Sequence, residues 1–494
     1  MANKLAAFIP AKLKSKLFTN SAWGIVSNIL QNVLFSIFFI VIARKYSTDD
    51  FGNYIIANTL YGFVVAFSTL GLGYWFVREL KHADDKKVLV RKFFKIQLYS
   101  GILFYFVNVI MAYVIYDSQL VRYLSVLIGI NVIFDNIIYV IKFMNVADSE
   151  QKKTFVILTI EAVLKFVVAC ILFIWPINII YLSLLLILLR LISLNLFIKY
   201  GSNNIIKLRE IIFSKISRKE IKHIIASNWS FMIIGSISVI YWKIGNILVS
   251  KILTLTDVAN YEISYKLFSM GYILPIIVST SIYPLLIDAY KQSKEKMSKL
   301  YHNAFLAYAL YGLLAYTFIY SFADIVIPWL FGNKYADTSF YCKEMFLTMI
   351  TFPTVFLQAN VLITMKLEKL DMLCNFVSLV LNVGLCIVGF VYFQKSLSVV
   401  NYAIFFSFTA FHLIQDVVLI QKGVTKLIHV IAFYATCAGI VFFYYFLADH
   451  FNKEWLFFVF WAILLGIAGT IFFINKKRAV VTAEDQLSKI PIDQ

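Results

Sequence analysis

Ten ionisable side chains stand inside apolar stretches that should exclude them: Asp135, Glu161, Lys165, Arg190, Lys243, Glu262, Lys266, Lys343, Glu344 and Asp416. A charge near the centre of a membrane-spanning helix costs on the order of 3 kcal/mol, so each such group should face a watery hollow or a partner. Lysines in a hollow attract an anion as point charges, and acids there hold a proton or a small cation. Binding and ion coupling, not bond making, are the chemistry this set suits. Lys243 shares a helical face with Asn246 one turn later, and with Lys266 it would lend positive charge to a cleft. Asn28, Gln31 and Asn32 form a polar stripe at one-turn spacing, and Arg78 ends the second apolar stretch, as a phosphate contact or a surface anchor. Lys243, Lys266, Arg78, Asn28, Asn32 and Asn246 are therefore the candidate anion-binding residues. Asp135, Glu161 and Glu262 are the candidates for a coupling H+ or Na+.

Plainer roles exist for several of these groups. Glu161 with Lys165, and Glu262 with Lys266, have the spacing and order of a helical salt bridge, acid first, and could simply neutralise each other. Asn28 and Asn32 could hold helices together by hydrogen bonds across the bundle. No histidine pair, cysteine pair, phosphate-binding glycine loop or serine elbow occurs in the chain. The five cysteines, Cys170, Cys342, Cys374, Cys386 and Cys437, lie singly in apolar segments and read as small buried hydrophobes. No catalytic residue, metal or organic cofactor is expected, and the chain reads as a non-enzyme. Asp49 and Asp50 are the best alternative, as the acids of a membrane glycosyltransferase. Their loop is too short to build a sugar site, and an acid at a helix start complements exposed amides.

The elements that must position these charges are spanning helices. Apolar residues make up 61% of the 494, aromatics 17% and charged residues only 15%. About fourteen segments reach the ~20 residues that cross a bilayer. They are 19–43, 52–75, 93–116, 121–144, 155–175, 178–198, 226–248, 258–287, 304–328, 339–364, 372–393, 398–419, 429–447 and 455–473. The corners at Trp175 to Asn178 and near Asp117 are the least marked divisions, with Pro176 and Asn178 favouring a tight hairpin at the first. Lys and Arg number roughly 31 in the gaps on the side of the N-terminus and roughly 6 on the other, which the positive-inside rule reads as cytoplasmic and external. A bacterial inner-membrane protein with both termini in the cytoplasm is expected. The net charge of +18 is spread over these loops, so it addresses anionic lipid headgroups and not nucleic acid. The first apolar run is too long for a cleavable signal peptide.

A duplication is visible. Asp50-Phe51-Gly52-Asn53-Tyr54 returns about 207 residues later as Asp257-Val258-Ala259-Asn260-Tyr261, each opening a helix, and Asn20-Ser21-Ala22-Trp23 has a looser echo in Asn228 to Phe231. Six crossings separate the copies, so the halves share an orientation and enclose a cavity about an axis along the membrane normal. The expected organisation is a six-helix lobe at 1–200, a basic linker at 201–223, a second six-helix lobe at 224–421, and two extra helices with a tail at 422–494. Such a plan suits rocking of one lobe against the other.

Ile42-Ala43-Arg44 followed by Ser47 to Tyr54 is similar to the first external turn of bacterial polysaccharide-biosynthesis flippases. Leu70-Gly71-Leu72-Gly73 with Arg78 resembles the end of their second helix, and Leu330 to Tyr335 resembles their turn before helix ten. Over nearly its full length the chain resembles the Wzx-type O-antigen flippases of the MOP (MATE-like) exporter superfamily. The resemblance implies movement of an undecaprenyl-diphosphate-linked oligosaccharide from the inner to the outer leaflet, for O-antigen or capsule assembly, with a polysaccharide polymerase as a neighbouring partner. Peptidoglycan-precursor flippases carry several arginines along their first two helices, where this chain has Asn28, Gln31 and Asn32. A cation-coupled multidrug antiporter of the same superfamily is the alternative, and would use acids such as Asp135 or Glu161.

Overall fold

Short polar residues ahead of the apolar runs set where the helices begin. Ser47 accepts the Asp50 amide at 3.0 Å, Asp85 those of Lys87 and Val88 at 2.9 and 3.2 Å, and Asn178 that of Ile180 at 2.9 Å. Ser217 with Glu220 and Thr254 with Asp257 form reciprocal capping boxes. In the computed structural model, which describes residues 11–202 and 217–466, these starts give an all-helical bundle. The N-terminal lobe comprises α1 (Ala11–Lys45), α2 (Thr48–Ser68), α3 (Gly73–His82), α4 (Lys86–Ile115), α5 (Gln119–Gly129), α6 (Asn131–Ala147), α7 (Gln151–Ile174) and α8 (Ile179–Leu196). The C-terminal lobe comprises α9 (Arg218–Ile252), α10 (Leu255–Gln292), α11 (Lys294–Phe331), α12 (Thr338–Phe346), α13 (Phe352–Thr364), α14 (Glu368–Tyr392) and α15 (Leu397–Gln421). Beyond it come α16 (Leu427–Ala448) and a final helix at 453–466.

Eleven of the described helical segments are long and apolar enough to cross a membrane, and the chain is a multi-pass membrane protein. The second and seventh predicted crossings are helical, as α2 with α3 and as α9, but are not among those eleven. The last, 455–473, runs past the described residues, as does most of the 201–223 linker. The corner at 175–178 and the one near Asp117 are both true turns, fixed by the Asn178 cap and by Ser118, which accepts the Val121 amide at 3.4 Å.

Three predicted crossings are not continuous. The second breaks where Leu70 and Gly71 adopt positive φ of 54° and 59°, which frees Gly73 to begin α3. The fourth is divided at Ile130 between α5 and α6, and the tenth passes through a 3-10 turn at Leu347–Ile350 before Pro353 opens α13. Proline is tolerated there because the first-turn amide it lacks has no partner inside the helix.

The echoed pentapeptides occupy matching settings. Ser47 caps toward Asp50 as Thr254 caps toward Asp257. Ser118 donates to Asn53 Oδ1 at 2.9 Å, and Thr338, at the equivalent point of the other lobe, donates to Asn260 Oδ1 at 2.7 Å. The same asparagine in each repeat thus ties its helix to the start of the helix two crossings later.

The lobes meet along α2, which packs on α9 and α10, and along α1, which packs on α10 and α11. Toward the lysine-poor face one apolar core joins both lobes, with Phe51, Tyr261 and Phe331 fully buried in it. Toward the lysine-rich face the packing divides into two separate cores, one around Phe76 and Phe93, the other around Leu286 and Tyr301. The lobes thus share one apolar core on the lysine-poor side, while on the lysine-rich side Ile221 and Ile224 of α9 lie against the Phe76 core. Gly52 sits at a close approach between the lobes, where an added Cβ would stand 2.7 Å from the Leu255 carbonyl oxygen. Gly52→Val should separate α2 from the start of α10 and cost about 1–3 kcal/mol, measured as a lowered unfolding temperature of the purified chain.

Candidate functional site

α1, α2, α7 and α10 bring two hollows side by side near the middle of the bundle. One, of about 280 Å³, lies inside the N-terminal lobe, lined by Asn131, Ser183, Tyr61, Glu161 and Arg190 among others. The second, of about 250 Å³, lies between the lobes, lined by Phe39, Ile42, Phe51, Glu262 and Lys266. Phe35, Phe38, Tyr54, Asn58 and Lys165 line both, so the hollows share a wall.

Lysines reach the inter-lobe hollow from both lobes, and the Glu262 carboxylate lines it as well. Lys266 reaches it from α10 with its ammonium 5.8 Å from the Phe39 ring centre, and Lys165 reaches it from α7 at 4.9 Å from Phe35, one helical turn away. An ammonium over an aromatic face is held without being neutralised, as Lys266 is, whereas Lys165 also pairs with Glu161 at 2.9 Å. Among the described residues no carboxylate lies within 4.0 Å of Lys266 Nζ. The expected Glu262–Lys266 pair does not form. Glu262 turns instead toward α9, where Asn246 Nδ2 donates to its Oε2 and Lys243 Nζ lies 3.9 Å from its Oε1. Lys243 also faces the other lobe, since a Cβ on Gly62 would meet its Cε at 3.6 Å, and Ser236 Oγ donates to the Ala66 carbonyl at 3.0 Å. Lys243, Asn246, Glu262 and Lys266 thus converge where α9 and α10 meet the N-terminal lobe.

Asp135 and Glu161 belong to a different cluster. Arg190 Nε donates to Asp135 Oδ1 at 2.9 Å and its Nη1 donates to Glu161 Oε2, while Lys165 Nζ lies 2.9 Å from Glu161 Oε1. Tyr61 donates its hydroxyl to Asp135 Oδ2. The expected Glu161–Lys165 pair is present, but as one edge of a network over α2, α6, α7 and α8.

Three candidates from the sequence lie apart from both hollows. Arg78, beyond the break at Leu70, is exposed and pairs with Glu79 at 3.2 Å. Asn28 is exposed, and Asn32 donates back to the Asn28 carbonyl at 2.8 Å. The inward residue of that stripe is Gln31, which donates to Ser27 Oγ at 2.6 Å beside Thr159 of α7. A helix whose one face packs on α7 turns its other polar residues aside. The remaining intramembrane charges are structural in the C-terminal lobe: Lys343 lies 2.6 Å from Asp324, Glu344 accepts from Asn401 at 3.0 Å, and Asp416 accepts from Gln358 at 2.6 Å with His412 at 2.8 Å.

The lysine-poor side is sealed by cations that hold backbone carbonyls. Arg44 Nη1 donates to the Trp329 carbonyl at 2.9 Å, and Lys334 donates to the carbonyls of Arg44 at 3.3 Å and of Tyr46. Tyr116 and Ser250 hydroxyls meet at 2.6 Å, and Lys251 donates to the Ile115 carbonyl. Burial in this turn pushes the Lys334 ammonium below the usual lysine range. Near the lysine-rich face Lys92 lies 2.8 Å from Glu220, and this hydrogen bond, with that from the Ser217 amide, holds the Glu220 carboxyl below its ordinary value. Removing Arg44 and Lys334 together should loosen the seal. In a Cys170→Ser background, Asn58→Cys should then react faster with an impermeant maleimide from the lysine-poor face, and an unchanged rate would count against the seal.

Two like-oriented helical lobes, sealed on one face around a charged hollow, define a transporter architecture. A profile of the family described as polysaccharide biosynthesis protein matches residues 41–340, and the chain belongs to that family. No curated protein matches it. Among solved structures it is similar to "Lipid II flippase MurJ, inward closed conformation", with TM-score 0.70 and 12% identity over 93% of this chain and 99% of that one. It is also similar to an inward-facing multidrug resistance MATE family transporter of the MOP superfamily, with TM-score 0.65 and 14% identity over 78% and 92%. An outward-facing MATE transporter gives 0.55, with 13% identity over 81% and 93%. The fold is that of the MOP exporters.

Proposed function

We propose that this protein flips an undecaprenyl-diphosphate-linked oligosaccharide from the cytoplasmic to the outer leaflet of a bacterial inner membrane, for surface polysaccharide assembly. The observation that carries this reading is the inter-lobe hollow into which Lys165 and Lys266 project from opposite lobes. A diphosphate drawn between two ammoniums would bridge the lobes, while its hydrocarbon tail stays in lipid. Lysines supply point charge without a fork, which suits a headgroup that must also leave. The hollow is smaller than the ~300–1,000 Å³ of sites that enclose drug-sized ligands, so a glycan enters only as the lobes part. The lysine bias of the loops supports an orientation with the sealed face outside and the divided cores toward the cytoplasm, where the cargo would be made. The chain would then act as a transporter and not as an enzyme, with membrane lipids around it and a polymerase receiving its product.

Lys243→Ala and Lys266→Ala should each reduce surface polysaccharide while membrane insertion stays normal, whereas Lys12→Ala should leave both unchanged. Normal polysaccharide in the first two variants would remove these lysines from the site. An outward-moving anion gains roughly 2.3 kcal/mol per charge for each 100 mV of inside-negative potential, so the potential is a sufficient drive. Transport of a hydrophobic dye coupled to a proton or sodium gradient, in place of glycan transfer, would favour a multidrug antiporter.

A further inference from the structure

We propose that Arg190 is a tethered cation that occupies the place of a coupling ion between Asp135 and Glu161, so that these acids take up neither Na+ nor H+ during transport. The cluster is saturated atom by atom. Asp135 Oδ1 accepts from Arg190 Nε at 2.9 Å, and Asp135 Oδ2 accepts from the Tyr61 hydroxyl. Glu161 Oε1 faces Lys165 Nζ at 2.9 Å, and Glu161 Oε2 accepts from Arg190 Nη1. All four carboxylate oxygens are engaged, three of them by cations. A sodium ion needs several oxygens turned toward one point, and a proton needs a carboxylate oxygen whose present partner can be given up. Here the fork of one guanidinium bridges two acids from two helices, α6 and α7, and its charge stays on the side chain at any physiological pH. The charged groups that face the pair are Arg190 on α8, Lys165 on α7 and Lys142 on α6, so the surroundings repel a further cation.

Glu262 differs on the same count. Its Oε1 accepts no hydrogen bond among the described residues and its nearest cation, Lys243, stands at 3.9 Å. A proton there would add positive charge beside Lys243 and Lys266 and so favour an anionic cargo. That sign couples proton and cargo in one direction and gives no exchange of one for the other.

The test is ion binding by the full-length chain in vesicles, without cargo, so its outcome is separate from that of the flippase reading. Radioactive Na+ binding would be measured alongside infrared titration of carboxyl protonation from about pH 5 to about pH 8. The wild-type chain should show no saturable Na+ binding, and its carboxyl signal should be unchanged by Asp135→Asn or Glu161→Gln. Arg190→Gln should gain either saturable Na+ binding or a carboxyl band that Asp135→Asn removes. Saturable Na+ binding or a protonation step in the wild-type chain that is lost in Asp135→Asn or Glu161→Gln would overturn the proposal, as would a folded Arg190→Gln that gains neither ion. Should Arg190→Gln fail to accumulate, the wild-type comparison decides alone.

Discussion

Lys266→Glu should abolish glycan translocation while leaving the chain folded in the membrane, the largest functional effect expected of any single substitution. Lys266 has no carboxylate within 4.0 Å among the described residues and rests over Phe39, so its charge takes part in no ion pair of the bundle. Its value lies in what enters the hollow. A hydrogen bond to a charged group contributes about 1.5–3 kcal/mol, so Lys266→Ala alone should weaken binding of a diphosphate headgroup by about 10- to 100-fold. Glutamate would go further, placing a second acid four residues from Glu262 and reversing the sign met by the cargo. That like-charge pair costs the helix only about 0.2–0.5 kcal/mol, far below the stability of the bundle. Reconstituted Lys266→Glu should therefore unfold near the wild-type temperature and translocate nothing above protein-free vesicles. Retained translocation would remove Lys266 from the cargo path.

Arg190→Leu should have the opposite profile, a large loss of stability before any question of transport arises. The side chains of Arg190, Asp135 and Glu161 are only 18%, 12% and 3% exposed, and the leucine would leave two acids without the guanidinium that bridges them. Removing one partner of a buried ionic network costs about 3–5 kcal/mol, a large share of the ~5–15 kcal/mol that holds a protein folded. The variant should accumulate poorly and unfold at a markedly lower temperature. Asp135→Asn with Glu161→Gln in the same chain should recover most of that loss, because two neutral amides can satisfy each other. Sodium or mild acid should also raise the unfolding temperature of the single variant, since whatever binds only the folded form stabilises it. An Arg190→Leu chain as stable as the wild type would show that the network is not held as described.

What the sequence revealed was whatever is written along one helix. Apolar length located the crossings, Asp50 and Asp257 marked two helix openings, and Pro176 with Asn178 marked a turn, because these signals lie within a few residues. The repeated Asn53 and Asn260 stood out for the same reason, and each makes the same hydrogen bond in its lobe. What was hidden depends on how helices are rotated against one another. Arg190 is 29 residues from Glu161 and 55 from Asp135, so nothing in its spacing announces either partner. The Glu262–Lys266 pair has an ideal interval, yet a contact worth a few tenths of a kcal/mol yields when Asn246 and Lys243 arrive from the neighbouring helix. Arg78 was displaced by the break at Leu70, and a leucine at positive φ is a conformation no sequence pattern foretells. The Asn28 and Asn32 stripe was legible as polar but not as turned aside, since only the packing of α1 on α7 fixes its rotation.

The central claim, a cationic hollow between lobes that carries a phosphorylated sugar past the bilayer centre, is tested most directly in sealed vesicles. Purified chain would be reconstituted with a fluorescent undecaprenyl-diphosphate-linked oligosaccharide on one leaflet, and its arrival on the other followed by loss of protection from an external glycan-cleaving enzyme. The wild-type chain should move the labelled lipid, faster when the receiving side is positive, and Lys266→Ala should slow it by about 10-fold or more. Movement no faster than in protein-free vesicles, or equal in wild type and Lys266→Ala, would contradict it.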